Sequence, residues 1–388
     1  MWGWLWLLLP VAASSGWWVA RSDKLRRGAR SDFNLSSHYF KGLNYLLNEQ
    51  PDKAIEVFIR VLEVDNDTVE THLALGNLFR RRGETDRAIR IHQNLIARPT
   101  LSRAQRTQAL LELGQDYMRA GLLDRAESLF QELLDLDDHV VPALRQLVDI
   151  YQQEKDWDKA ITTTRRLATA TGQRANHVLA QYRCELAEQA RADGDTVRAV
   201  RMLEHAMEED TGCVRVSLLQ GELAMEAGDY TAAISAFKRV EQQDADYFSE
   251  VLEPLTACCN ALDQREELID YLQQAYARHG GITLMLTLAG LLRAQYGDER
   301  AGEFITHQLH KRSSVRGLSQ LIEIKLATSQ GAVRDSLLLF QELAAPLLRD
   351  HPAYSCRHCG FTGKSLHWHC PSCKHWNTVK PIQGGEGE

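Results

Sequence analysis

A motif that recurs in steps of 34 to 39 residues constrains the fold of this chain more than any other feature. Each copy carries an alanine: Ala54, Ala88, Ala126, Ala160, Ala199 and Ala233. Twelve residues earlier stands a smaller or medium-sized residue: Gly42, Gly76, Gly114, Val148, Ala187 and Gly221. Repeats of this length are typical of paired antiparallel helices. We predict that the helix axes approach closely at these two positions, and that large residues such as Phe58, Phe130 and Phe237 fill the adjacent space.

The pattern resembles the tetratricopeptide repeat at its small, aromatic and alanine positions. Six such units cover residues 35–246. Residues 247–350 keep a helical periodicity but lose most of the glycines and alanines, and we interpret them as about three degenerate units. Gly83 and Gly228 stand where a left-handed residue would end the first helix of a pair. The predicted fold is therefore an all-α solenoid.

A solenoid of this kind has a concave face lined mainly by the first helix of each pair, which suits an extended peptide or another protein. In the second and third units, the residues predicted to face this groove are Asn77, Arg80, Arg81, Gln115 and Arg119. Such side chains could bond the backbone or the carboxylates of a partner. The alternative is that they are only solvated polar residues.

The first twenty residues predict a membrane anchor. Residues 1–20 contain no charged side chain and would form a helix ~30 Å long, which matches the hydrocarbon core of a bilayer. Tryptophans lie at both ends, as at membrane interfaces. A basic linker, residues 21–34, follows, and basic flanks stay cytoplasmic. We expect a single span with a periplasmic N-terminus and a cytoplasmic body; the alternative is a cleaved signal peptide.

Two C-x-x-C pairs predict a metal site near the C-terminus. Cys356 and Cys359 form the first pair, and Cys370 and Cys373 form the second. Four thiolates at tetrahedral spacing suit one zinc or iron ion. The pairs resemble abbreviated rubredoxin knuckles, and the short segment between them argues against electron transfer. The sequence predicts a metal module at residues 351–382 and a disordered tail at 383–388.

The surroundings of this module lead to three further expectations. Because few residues separate it from the preceding apolar helix, we expect it to pack on the end of the solenoid. Its lysines, Lys364, Lys374 and Lys380, should temper the negative charge of the metal site. Four histidines nearby are expected at the surface: His358, His367, His369 and His375.

The remaining sequence favours a binding protein that is not an enzyme. No P-loop, metalloprotease, nucleophile-elbow or dinucleotide-binding motif is present. The formal net charge of −7 argues against a nucleic-acid binder. The other cysteines, Cys184, Cys213, Cys258 and Cys259, lie in helical sequence and are expected to be buried and reduced.

The order of anchor, repeats and the stretches YSCRHCGF and WHCPSCKHWNTVKPI resembles the lipopolysaccharide assembly protein B family of Gram-negative bacteria. This resemblance implies an adaptor on the cytoplasmic face of the inner membrane, bound to the bilayer through residues 1–20. The implied partners are a membrane-anchored FtsH-type protease, the deacetylase that commits material to lipid A, and inner-membrane lipopolysaccharide sensing and assembly proteins. It also implies that the metal module docks on the repeats and is required for activity.

Two other functions stay open at this point. The chain could be a rubredoxin-like iron protein that carries electrons or senses redox state. A zinc-ribbon nucleic-acid binder is a further alternative, which the acidic balance disfavours. A homodimer is possible.

Overall fold

The computed structural model describes residues 40–42, 44, 45, 48, 50–64, 69–349 and 352–382. These residues form two compact units, one that ends at Gln173 and one that begins at Arg174. The predicted anchor at 1–20, the linker at 21–34 and the tail at 383–388 lie outside the described residues. Within the described ranges, no helix is both long enough and apolar enough to cross a membrane.

Both units are built from antiparallel helix pairs. The first contains α1 (Pro51–Val64), α2 (Val69–Arg81), α3 (Thr85–Ile96), α4 (Arg103–Arg119), α5 (Leu123–Asp135), α6 (Val140–Glu154) and α7 (Trp157–Thr171). The second contains α8 (Asn176–Ala192), α9 (Thr196–Glu209), α10 (Val214–Glu226), α11 (Tyr230–Gln243), a 3-10 turn (Ala245–Tyr247), α12 (Phe248–Ala261), α13 (Arg265–His279), α14 (Ile282–Tyr296), α15 (Asp298–Lys311), α16 (Val315–Thr328) and α17 (Ala332–Arg349). The all-α repeat fold predicted from the sequence is confirmed in these residues.

The small residues of the motif lie where the two helices of a pair cross. All six motif alanines are fully buried. A Cβ atom added to Gly42 would lie 2.7 Å from the ring of Phe58, and one added to Gly114 would lie 2.6 Å from Phe130. No side chain fits in so short a gap, so the predicted close approach of the helices is confirmed.

The turns inside the pairs end the first helix and cap the second. Gly83 and Gly228 have φ angles of 82° and 77°, so their predicted left-handed conformation is confirmed. Lys155 occupies the corresponding place in another pair with a φ of 58°, at a cost of roughly 1 kcal/mol. The Asp229 carboxylate then accepts a hydrogen bond from the backbone N–H of Ala232 and caps α11. Short turns of this kind hold the helices of a pair antiparallel.

A small antiparallel sheet follows the last helix. Its strands are β1 (Tyr354–Cys356), β2 (Thr362–Gly363) and β3 (Val379–Pro381), in the order β2-β1-β3. Ser355 pairs with Thr362 on one side and with Lys380 on the other. Leu366 and Trp368, from the segment between β2 and β3, pack against an apolar core built from α10 to α14. The sheet is therefore joined to the repeats of the second unit through its side chains.

Candidate metal centre and its docking surface

The two C-x-x-C pairs form turns of the same kind. In the first, the N–H of Gly360 donates to the carbonyl of Cys356 at 2.9 Å, and in the second the N–H of Lys374 donates to the carbonyl of Cys370 at 3.0 Å. Both Gly360 and Lys374 adopt positive φ angles, of 76° and 60°. A positive φ is common for glycine and rare for lysine. In the second knuckle a lysine adopts the positive φ angle, and the surrounding structure compensates the steric cost of this conformation.

The four sulfur atoms converge on one point. The Sγ atoms of Cys356 and Cys373 lie 3.8 Å apart, those of Cys359 and Cys370 lie 3.7 Å apart, and all four lie within 4.8 Å of one another. Sulfur ligands about 2.3 Å from a tetrahedral ion lie about 3.8 Å from each other. The set therefore fits one zinc or iron ion, and the four cysteines would fill its coordination sphere.

Hydrogen bonds favour the thiolate form of Cys356 and Cys359, whereas burial raises the pKa of Cys373 to about 12. Burial acts to raise the pKa of Cys356, but hydrogen bonds from Thr378 and from backbone N–H groups of the first knuckle lower it to about 6. The backbone N–H of Phe361 lowers the pKa of Cys359. Cys356 and Cys370 are buried, whereas Cys359 is exposed. One side of the site thus faces the protein and the other faces solvent.

The buried side of the module is held by an aromatic contact with Tyr247. This residue is completely buried, and its ring stacks on Trp368 with centroids 5.3 Å apart. Its hydroxyl lies 2.9 Å from the side-chain oxygen of Asn377 and 2.9 Å from the carbonyl oxygen of Val379. A tyrosine in the turn between α11 and α12 is thereby part of the core beneath the metal site.

Charged contacts surround this aromatic centre. The Lys380 ammonium lies 2.7 Å from Asp244 and 3.1 Å from Asp246. The hydroxyl of Tyr354 donates to the Glu250 carboxylate at 3.1 Å. Lys380, expected to temper the charge of the metal site, instead binds the carboxylates of the repeat, so that expectation is wrong for this residue.

A second anchor lies on α8 and α10. The ring of Trp376 meets that of Tyr182 edge to face at 5.7 Å, and the guanidinium of Arg215 lies 5.8 Å from the ring of Trp368. Arg215 is itself buried and pairs with Glu185 at 2.8 Å and Glu188 at 2.9 Å. The positive charge of Arg215 beneath Trp368 is therefore balanced by two carboxylates, which also hold its guanidinium in place.

These contacts correct one prediction. The module was expected on the end of the solenoid, but its described hydrogen bonds, ion pairs and ring contacts to the repeats fall on residues 182–250. The physical reason is that α8, α10 and the turn before α12 offer buried aromatic rings and carboxylates to the tryptophans and lysine of the module. The sequence near the module could not show which repeats it contacts. The tryptophans and the lysine outside the two knuckles indicated only that the module has contacts elsewhere in the chain.

The histidines of the module divide into two groups. His358 and His375 are exposed, as expected. His367 and His369 are half-buried, and His369 stacks on Trp376 with centroids 4.5 Å apart. Burial lowers the pKa of His369. The surface prediction is therefore wrong for His369, which lies within the docked side of the module.

The cysteines outside the module are buried, which confirms the prediction for them. Cys184, Cys213, Cys258 and Cys259 are each at most 3% exposed. Burial raises the pKa of Cys184 well above its ordinary value. Such thiols pack as small apolar groups.

The five residues predicted to face the groove have different surroundings within the first unit. Arg80 bonds Glu112 at 2.6 Å and Asp116 at 2.8 Å, and Asp116 also bonds the buried His92 at 2.5 Å. The Arg80 guanidinium thus joins two successive repeats. Arg81 and Arg119 are exposed, and Asn77 and Gln115 are half-buried. Partner binding by these residues stays a prediction.

Comparison with known proteins supports both parts of the chain. Residues 354–381 match the family described as rubredoxin metal binding domain. Tetratricopeptide repeat families match residues 35–68, 71–104, 111–175 and 190–253. Among solved structures, the MamA protein aligns with a TM-score of 0.35 and 20% identity over 46% of this chain and 92% of that chain.

Curated relatives match over the full length. Lipopolysaccharide assembly protein B of Escherichia coli strain K12 is 41% identical over 384 residues, which is 99% of this chain and 99% of the relative. The protein of the same name from Haemophilus influenzae is 34% identical over 392 residues, with 98% of each chain covered. The similarity thus includes both the repeats and the metal module.

Proposed function

Because the chain belongs to the lipopolysaccharide assembly protein B family, we propose that it is an adaptor that limits lipopolysaccharide synthesis at the bacterial inner membrane. In this proposal it brings the deacetylase that commits material to lipid A to a membrane-anchored FtsH-type protease. It also contacts inner-membrane proteins that sense and assemble lipopolysaccharide. The chain itself performs no catalytic step.

The contact between Tyr247 and the metal module is the observation that carries this proposal. The hydroxyl bonds the backbone of β3 while the ring stacks on Trp368. The module is thus built into the repeat surface. Four cysteines leave a tetrahedral ion without an open position, as in structural sites. When bound, the ion would cross-link the two knuckles and add folding free energy to a module with a small core.

The repeats supply the partner surface in this account. In the first unit, Arg81 and Arg119 are exposed on α2 and α4, the first helices of their pairs. We infer that such side chains bind carboxylates or backbone carbonyls of a partner segment. Arg80 has a supporting role, since it joins the two repeats by binding Glu112 and Asp116.

The proposed anchor explains why such contacts need not be strong. A span at residues 1–20 would confine the repeats to the cytoplasmic surface of the membrane. Confinement raises the effective concentration of partners on the same membrane and so increases the occupancy of a weak complex.

Depletion of the chain from cells tests the proposal. We expect the half-life of the deacetylase to increase, and we expect no further increase when the protease is also inactive. An unchanged half-life after depletion would overturn the proposal.

A site-specific photo-crosslinker tests the partner surface separately. Placed at Arg119, it should capture the deacetylase or the protease from membranes. The control position is Arg300 on α15, whose side chain is 68% exposed. Equal capture at both positions would exclude a groove-specific contact.

One observation favours a second candidate function. Cys359 is exposed, and solvent exposure is one of the factors that set the potential of iron held by thiolates. A redox role requires the purified iron form to show a reversible potential and to transfer electrons to a partner. A zinc form with full activity in cells would exclude it.

A further inference from the structure

Two histidines flank the exposed side of the metal module. His358 lies between the two cysteines of the first knuckle, and His375 follows Cys373 by two residues. Their rings stack with centroids 3.9 Å apart and an interplanar angle of 22°. A ligand atom of each histidine and the Sγ of Cys373 all lie within 4.8 Å of one another. Two histidines outside the four-cysteine set thus converge with Cys373, which belongs to that set.

A hydrogen bond prepares one of these rings for metal. The Nδ1 of His375 lies 2.9 Å from the carbonyl oxygen of Cys373. Because a carbonyl only accepts hydrogen bonds, Nδ1 is the donor in this contact, and Nε2 is the nitrogen left to bind an ion. Metal-bound histidines in proteins commonly have this arrangement, in which one nitrogen donates to a carbonyl and the other binds the ion.

We propose that His358, His375 and Cys373 form a second metal site, the capture site, which exchanges zinc or ferrous ions between solvent and the four-cysteine site. Nitrogen and thiolate ligands together suit such borderline divalent ions. Cys373 belongs to both sets, so an ion can pass from one to the other without losing this ligand. As the ion enters the four-cysteine site, each protonated cysteine that binds it releases its proton to water.

The arrangement suits transient binding. Ligands of one tetrahedral ion lie about 3.3 to 3.8 Å apart, and parallel stacked rings cannot both direct a lone pair at one ion. The rings must therefore turn apart, which exposed side chains do within picoseconds to nanoseconds. This rearrangement costs free energy, and the capture site has only three protein ligands. It therefore binds an ion more weakly than the four-cysteine site does.

Isotope exchange in the intact, zinc-loaded full-length protein tests the capture site. Isotopically enriched Zn²⁺ is added and its incorporation is followed by mass spectrometry. The His358→Ala/His375→Ala variant should exchange about tenfold more slowly than the unsubstituted protein while keeping one bound ion. The His367→Ala variant is the matched control, because this module histidine lies outside the three-ligand group and should exchange at the normal rate.

Equilibrium dialysis against Zn²⁺ gives a second measurement. The unsubstituted protein and the control should bind a second, weaker ion, which the double variant should not. If the double variant fails to fold, His358→Asn alone should show the same slowing in the folded protein. Exchange at the same rate in all variants would overturn the capture site and show that the two rings only stack. These measurements do not depend on the adaptor function.

Discussion

The hydroxyl of Tyr247 lies 2.9 Å from the carbonyl oxygen of Val379, a residue 132 positions later in the chain. Tyr247 is fully buried and ends the turn before α12, whereas Val379 begins the last strand of the metal module. This hydrogen bond joins the metal module at the end of the second unit to the repeats of the same unit. The metal module and the repeats are therefore expected to lose their order together.

Replacing Tyr247 with phenylalanine tests this coupling. The Tyr247→Phe variant keeps the ring that stacks on Trp368 but leaves the Val379 carbonyl without this donor, which should cost about 1 to 3 kcal/mol of unfolding free energy. Hydrogen exchange should increase at residues 354–381. The control is Tyr296→Phe, because Tyr296 is 56% exposed. Equal exchange in both variants would show that the bond does not hold the module.

The glycines of the repeat motif make a paired prediction. In Gly114→Ala, the new Cβ meets the buried ring of Phe130, so we expect a loss of about 1 to 3 kcal/mol in the free energy of unfolding. Gly290, inside α14, has no atom near its Cβ position, and Gly290→Ala should stabilise the protein by up to about 1 kcal/mol. Denaturant unfolding measures both. Stabilisation by both alanines would contradict the close helix crossing.

The second repeat has His92 where three of the other repeats have phenylalanine. His92 is fully buried and bonds Asp116, which also holds Arg80. His92→Phe restores the usual apolar residue of the motif but removes a partner of a buried carboxylate, so we expect a loss of about 1 to 3 kcal/mol. An unchanged free energy of unfolding in urea for His92→Phe would show that the bond to Asp116 does not stabilise the protein.

The pH dependence of docking follows from Lys380. Burial lowers the pKa of Lys380, but hydrogen bonds to Asp244 and Asp246 outweigh this and raise it above 10.5. Its stabilisation is therefore complete below pH 10.5 and is lost as the pH rises through the raised pKa of the folded state.

Lys380→Gln should accordingly lower stability by about 1 kcal/mol at pH 7, and its difference from the unsubstituted protein should shrink above pH 10.5. Melting temperatures measured across this range check the expectation, with the exposed Lys311→Gln as control. A difference that stays constant to pH 12 would argue against the ion pairs.

Local features of this structure could be predicted from sequence because they depend on residues close together in the chain. The cysteine spacing indicates both knuckles, and Gly114 and Phe130 meet because a turn of fixed length joins their helices. The docking surface could not be predicted in this way. Tyr247 and Asp244 lie in an ordinary turn, and their partners Val379 and Lys380 become neighbours only after the whole second unit has folded.

The groove prediction shows the same limit. Arg80 has the type and spacing of a residue that faces a partner. Its role depends on Glu112 and Asp116, which the next repeat brings within 2.6 and 2.8 Å of it. Sequence alone gives a face of a helix but not the carboxylates that the neighbouring repeat presents to that face.

The half-life of the lipid A-committing deacetylase in cells that carry Cys370→Ser/Cys373→Ser tests the central claim most directly. The amount of the chain should be matched to the unsubstituted protein, and metal loss should be confirmed on purified samples. The account predicts a longer half-life, because the module loses its ion and loosens from Tyr247. His367→Ala, which leaves all four cysteines in place, should keep the normal half-life. A normal half-life in the metal-free double variant would contradict the claim that the docked metal module is required for the adaptor function.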